Sequence, residues 1–227
     1  MPWANRYQTK ADMARLTRHG LLKIVKYARK KGERPQLPLL DMRNANLSTT
    51  NLTLADMPSA KLRFANMSGV ALSLSNLTKA NLHAANLSQA DLSAANLSFI
   101  DLSLANLSGA DLSESRLDEA NLEGANLSQA TLAEASLVKA RLHRANLSQA
   151  SLNLTNLSEA DLSLTNLCAV NLSLANLTEA NLCGANLEGA TLYKAHLNWA
   201  RFDNSTTWPD DFDPIEAGAI NQEEQPA

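Results

Sequence analysis

Four histidines (His19, His83, His143, His196) and two cysteines (Cys168, Cys183) are the side chains of this chain best suited to metal or nucleophile chemistry. Their spacing supports neither. There is no Cys-x-x-Cys, no glycine-rich phosphate loop, and no Ser/His/Asp set with a believable geometry. The expectation is therefore no catalytic residue, no cofactor, no metal, and a protein that is not an enzyme. Small polar residues dominate instead, chiefly Asn and Ser, and they recur at a fixed interval.

That interval is five. Ala85-Asn86-Leu87-Ser88-Gln89 and Ala145-Asn146-Leu147-Ser148-Gln149 give its typical form. From position 42 to position 202 every fifth residue is Leu, except Met42, Met57, Met67 and Phe202, with no insertion in 33 pentads. An α-helix would smear a five-residue period around its surface, and a strand would flip it from face to face. A chain that turns a corner once per pentad keeps Leu, and the Ala two residues before it, pointing inward. Four corners close a coil of twenty residues, so the repeat predicts about eight coils and a rod roughly 40 Å long at the ~4.8 Å strand spacing. The Asn/Asp before each Leu and the Ser/Thr after it are turn formers able to bond local backbone. In this frame His83 and His143 share a face but lie three coils apart, roughly 14 Å, too far to share a metal. Cys168 and Cys183 fall on adjacent faces of adjacent coils, beyond the ~7 Å limit for a disulfide, so free thiols are expected.

The pentads resemble those of the pentapeptide-repeat family. The resemblance covers residues 40–204 and implies an all-β fold, a right-handed quadrilateral β-helix. Some members of that family bind DNA gyrase as DNA-like rods, so a topoisomerase enters as one partner to weigh. The segment Phe202-Asp203-Asn204-Ser205-Thr206-Thr207-Trp208-Pro209-Asp210-Asp211-Phe212-Asp213-Pro214 is similar to the tail after the last pentad in many cyanobacterial members.

A solenoid must hide its ends. Three regions follow: a basic head at 1–39, the repeat at 40–204, and a tail at 205–227. Residues 8–31 read as one amphipathic helix, opened by a capping box at Thr9 and Asp12, with Met13, Leu16, Leu21, Ile24, Val25 and Ala28 on its apolar stripe. It is expected to be an N-terminal α-helical cap. Trp208, Phe212 and Ile215 are expected to form a lid over the last coil. Residues 1–39 carry ten Lys/Arg against Asp12 and Glu33, net +8; residues 40–203 are net −5; residues 204–227 hold six acids and no base, net −6. No run approaches the ~18 apolar residues of a membrane span, and no apolar leader follows Met1, so a cytoplasmic location is expected.

The last residue of each pentad should face solvent. Stepping by twenty, one face carries Leu54, Leu74, Leu154 and Leu174, and the opposite face Phe64, Leu104 and Leu164. These are the candidate interaction surface, because contiguous exposed apolar residues mark contact sites. Acids gather along the sequence at Asp91, Asp101, Asp111, Glu114, Asp118, Glu119, Glu123 and Glu134, a candidate acidic face. Lys23, Lys26, Arg29, Lys30 and Lys31 are candidate contacts of a basic helix. The first reading is an interaction scaffold for an unidentified protein partner, or for a second copy in a homo-oligomer. A DNA mimic for gyrase ranks second, since the acid excess is small. Docking of the basic helix on membrane or nucleic acid ranks third; direct nucleic-acid or membrane binding is not the expectation.

Overall fold

A computed structural model describes residues 16–223. Five residues show how the repeat closes. The Leu87 N–H donates to the Asn106 carbonyl in the following coil (2.7 Å), and the Gln89 N–H donates to Ser108 (3.0 Å). The Asn86 N–H reaches back to Ala65 in the preceding coil (2.9 Å). The Ala90 N–H donates to the Leu87 carbonyl (3.0 Å), which closes a β-turn at the corner. The fifth donor, the Ser88 N–H, goes to Asn86 Oδ1 (3.1 Å). Every backbone N–H of the pentad is thereby satisfied, as burial against a neighbouring coil requires. Where Asn or Asp precedes the central residue, as in most pentads, its Oδ1 supplies the one acceptor that the backbone lacks.

Paired residues lie twenty apart and run parallel: Asn46 with Asn66, Asn66 with Asn86, and so on to Asn186. A coil is therefore four pentads. The pairing is by single bridges instead of extended strands, because the corner consumes three residues in every five. Among the described residues only Arg201–Phe202 (β1) and Ile220–Asn221 (β2) pair as short parallel strands. The ladder also outruns the repeat at both ends. Gln36 pairs with Asp56, and Thr207 pairs with Asn186 after a one-residue insertion. β2 then lies on β1 as a further turn.

The axis is filled by Leu and Met at the pentad centres, with Ala lining the wall; nearly all are fully buried. Where a polar residue replaces Ala, its hydroxyl needs a carbonyl. Ser115 donates to Leu112 (2.6 Å), Thr155 to Leu132 (2.7 Å) and Thr165 to Leu142 (3.0 Å).

The corner residue is the feature that the pentad pattern conceals. The last residue of nearly every pentad has φ between 51° and 67°, from Ala94 to Gly184 and Gly189. This is the left-handed region, normally left to Gly, Asn or Asp. Here it holds Leu, Phe, Glu, Lys and Trp. The third position of a type II turn demands positive φ. The inter-coil bond donated by that residue's own N–H fixes it there.

At the N-terminal end, Arg18–Lys30 form helix α1. The expected helix over 8–31 is not continuous. Thr17 is extended (φ −86°, ψ 162°) and caps α1, its hydroxyl accepting the Gly20 N–H at 3.2 Å. The capping box at Thr9 and Asp12 lies outside the described residues. α1 stops in a Schellman motif: Gly32, at φ 71°, donates to Arg29, and Glu33 donates to Ala28. Leu21, Val25 and Ala28 are buried in the common core. Arg18 donates to the Ser48 carbonyl, and Arg29 to the Asn51 and Thr53 carbonyls. Those carbonyls lie on the open edge of the first coil, where no earlier coil supplies a donor.

At the other end Trp208 packs edge-on against Phe202 and stacks on Phe212, with ring centroids 5.5 and 5.4 Å apart. Ile215 does not join them and is more than half exposed. Asp213 accepts the N–H groups of Ile215 and Glu216, and the turn it forms points Ile215 outward. Ala217 and Ala219 pack inward in its place.

Candidate interaction surface

The twenty-residue register assigns each candidate side chain to a face. Leu54, Leu74, Leu154 and Leu174 stand on one corner column, and Phe64, Leu104 and Leu164 on the opposite one. All seven are exposed, from 37% for Leu54 to 61% for Leu104. The two columns cannot form one patch, since the rod separates them.

They also differ in what lies beneath. Corner side chains lean along the rod towards the next coil. A Cβ added to Gly124 would lie 2.8 Å from Leu104 Cδ2, and one on Gly184 would lie 2.5 Å from Leu164 Cδ2. Leu104 and Leu164 are thus seated on glycines. Phe64 meets the edge of His83 at 5.7 Å between ring centroids and the Arg63 guanidinium at 5.3 Å. On the first column, Leu154 and Leu174 occupy successive coils, one step of ~4.8 Å apart, with no glycine below. Leu54 and Leu74 make a second such pair.

The eight candidate acids are not brought into one stripe. Asp91, Asp111, Glu114 and Glu134 lie on the face that carries Leu154; Asp101 and Glu123 lie opposite; Asp118 and Glu119 lie between. A twenty-residue coil scatters residues that are close in sequence. Several are also engaged. Asp91, Asp101 and Asp111 each accept the N–H and the hydroxyl of the Ser two residues on. Burial would raise the Asp91 carboxyl, but the hydrogen bonds from Ser93 and Ser73 outweigh it and hold it below the usual range. Asp118 accepts the Ser136 hydroxyl, and Glu123 pairs with Arg141 at 3.1 Å.

Of the basic-helix residues, Arg29 is turned onto the coil edge, and Lys31 lies 4.9 Å from the Tyr27 ring centre. Lys23, Lys26 and Lys30 are exposed. The His83 and His143 rings each share a hydrogen bond of 2.8 Å with a serine of the next coil, Ser103 and Ser163. Both cysteines are free. Among the described residues no His/Cys/Asp/Glu group could hold a metal, and no helix is long and apolar enough to cross a membrane.

Two features escaped the sequence reading. On one face the residue before the central Leu or Met is Asn in eight successive coils, and the amides bond in a column: Asn86 to Asn66, Asn106 to Asn86, Asn126 to Asn106, Asn146 to Asn126, Asn166 to Asn146. Stepping by twenty at that position would have found it. Trp199, 65% exposed, opens a shallow cleft with Glu159, Glu179 and Arg201. Its column was legible, but its exposure depends on how the last turn ends.

A twenty-residue coil of four satisfied pentads around a Leu axis defines a class, the pentapeptide-repeat β-helices. The family described as Pentapeptide repeats matches segments of this chain spanning residues 41–206, and the chain belongs to it. The fold it implies is a right-handed β-helical solenoid. Among solved structures, HetL, a pentapeptide repeat protein involved in heterocyst differentiation regulation from the cyanobacterium Nostoc sp. strain PCC 7120, is 30% identical. The match covers 90% of this chain and 92% of that one, with a TM-score of 0.39. QnrB1, a plasmid-mediated fluoroquinolone resistance protein, is 16% identical over 82% of this chain and 93% of its own, with a TM-score of 0.48. Rfr23 from the cyanobacterium Cyanothece 51142 is 37% identical over 45% of this chain and 63% of its own, with a TM-score of 0.25. No curated protein matches the chain.

Proposed function

We propose that this chain is a non-enzymatic scaffold, whose β-helix displays a rigid apolar strip to a protein partner, with α1 and the Trp208–Phe212 lid as caps that keep the ends closed. The observation that carries the reading is the Leu154/Leu174 pair. Two leucines, 49% and 44% exposed, stand in register on neighbouring coils, held by a backbone with little freedom to rearrange. A preformed apolar strip loses little entropy on binding. Leu164, on the opposite face, is seated on Gly184 and serves as an internal control.

The test is affinity capture with the tagged full chain at high salt, comparing wild type, the Leu154→Asp/Leu174→Asp double variant, and Leu164→Asp. The scaffold reading expects a protein retained by wild type and by Leu164→Asp, and lost from the double variant. The same proteins recovered by all three would sink the assignment to this strip. A DNA mimic ranks below this reading, because five of the eight carboxylates it would present are tied into turns (Asp91, Asp101, Asp111) or ion pairs (Asp118 with Arg116, Glu123 with Arg141).

A further inference from the structure

We infer that copies of this chain associate end to end, the cationic outer face of α1 in one copy docking on the carboxylate-bearing lid of the next. This rests on the ends of the rod and is independent of the leucine strip.

α1, Arg18–Lys30, contains no acidic residue. It buries Leu21, Val25 and Ala28 against the first coil. At 3.6 residues per turn, His19, Lys23, Lys26 and Lys30 fall on the opposite side, and all four are exposed. Lys23 and Lys26 are three apart, and Lys26 and Lys30 four apart, so like charges neighbour one another and cost helix stability. No carboxylate among the described residues pairs with them. The two other cations that the helix could present, Arg18 and Arg29, are spent on the coil edge. What remains is a positive face with no carboxylate partner among the described residues, on the side of α1 opposite its buried residues.

The far end is its complement. Trp208 and Phe212 pack on the core, and the exposed Asp210, Asp211, Asp213 and Glu216 stand on the same segment, with Glu223 exposed after β2, where it accepts from Asn204. None forms an ion pair with a cation among the described residues, and Ile215 stands exposed in their midst. The opposed charges cannot meet within one molecule. About eight coils separate them by roughly 40 Å, several times the ~8 Å Debye length at physiological salt. They can meet only between molecules. A heterologous contact of this kind, with the two ends on opposite sides of a straight rod, does not close and gives open chains without fixed stoichiometry.

The experiment is sedimentation of the full chain at about 0.01 M and about 0.5 M salt, with two charge-reversed variants. The head variant carries Lys23→Glu, Lys26→Glu and Lys30→Glu. The tail variant carries Asp210→Lys, Asp211→Lys, Glu216→Lys and Glu223→Lys. Asp211 has φ 60°, which Lys79, Lys139 and Lys194 also adopt in this chain. Wild type should exceed the 24.5 kDa monomer at low salt, rising with concentration, and return to it at high salt. Each variant alone should stay monomeric, and an equimolar mixture should associate, because the native head of one meets the native tail of the other. Restoration by mixing also shows that both variants are folded. A monomeric wild type at low salt overturns the inference, including the case in which only chains with the native head co-sediment with phosphatidylserine vesicles or with duplex DNA. Association that survives in either variant alone, or that mixing fails to restore, overturns it too.

Discussion

The middle of the rod and its two ends solve the same problem by opposite means. In the pentad Asn86–Ala90, each donor finds its acceptor in a neighbouring coil or in its own turn, and the same backbone bonds recur along the rod. At the ends there is no neighbouring coil. The first coil's carbonyls are met by two guanidinium groups from a helix. The last coil is closed by an insertion before Thr207, a two-residue strand and an aromatic stack. The contrast teaches where information sits in a solenoid. The middle can repeat because its interactions are nearest-neighbour, whereas each end needs a unique sequence.

The sharpest way to break the contrast is to damage the middle. Leu127→Ala removes a fully buried side chain from the axis with coils packed on both sides, and should cost about 2–5 kcal/mol. In denaturant unfolding the midpoint should fall. The slope should fall as well if the cavity uncouples the two halves of the rod. At the head the effect should be smaller and local. Arg29→Ala removes the guanidinium from the exposed Asn51 and Thr53 carbonyls, which water can then reach, and should cost about 0.5–1 kcal/mol. Hydrogen exchange should quicken in α1 and the first coil and stay unchanged in the coil of Leu127. Equal acceleration in both places would mean that the ends and the middle unfold as one unit.

The same contrast governs what could be read from the sequence. The five-residue period, the buried Leu and Ala columns, the role of Asn86 and its equivalents as turn acceptors, and the free Cys168 and Cys183 follow from residue types and spacing. The ends did not follow as cleanly. The start of α1 at Arg18 was hidden because Met13 and Leu16 fall on the same helical period in the sequence as Leu21, Val25 and Ala28. Ile215 was read as part of the lid because apolar character does not disclose that Asp213 caps a turn beneath it. The acids from Asp91 to Glu134 looked like a cluster because they are close in sequence, but proximity in this fold is measured in twenties. The left-handed corner was invisible for another reason. All five glycines of the repeat, Gly69, Gly109, Gly124, Gly184 and Gly189, stand at it, but most corners hold other residues; Leu154, Glu119, Lys139 and Trp199 all adopt it because the inter-coil bonds impose it.

At the tail, the comparison can be sharpened with pH. The Asp203 carboxylate accepts from the Ser205 hydroxyl and N–H and from the Gly184 N–H, and hydrogen-bonds to Thr206. The Ser205 hydroxyl leads in holding its pKa below the ordinary carboxylate value, against a smaller upward push from burial. A lowered folded pKa means that the stabilisation is full above about pH 3.9, the unfolded value, and is lost as pH falls through the folded one. Asp203→Ala should therefore cost about 1 kcal/mol near neutrality and less in acid. The measurement is the thermal midpoint of both proteins across that range. A difference that stays constant into acid would show that the charge contributes nothing to closing the last coil.

The finest comparison lies within a single corner. Ala94 and Ala95 are adjacent and chemically identical, but Ala94 is exposed at φ 51°, and Ala95 is buried on the wall with negative φ. Glycine at an ordinary site costs roughly 0.5–1 kcal/mol relative to alanine, through the entropy of the unfolded chain. Ala95→Gly should show that cost and somewhat more, since it also removes a buried methyl group. At Ala94 the same entropy is set against the ~1–2 kcal/mol that an L-residue gives up in the left-handed region. Ala94→Gly should be neutral to stabilising by up to about 1 kcal/mol. The sign of the Ala94→Gly change, read from chemical unfolding with Ala95→Gly as the reference for an unstrained buried site, thus reports whether the corner is strained. If Ala94→Gly destabilises as much as Ala95→Gly, the inter-coil hydrogen bonds have already made the left-handed turn cost-free for any side chain. The exposed leucines would then owe nothing to strain and could be chosen wholly for what they present to a partner.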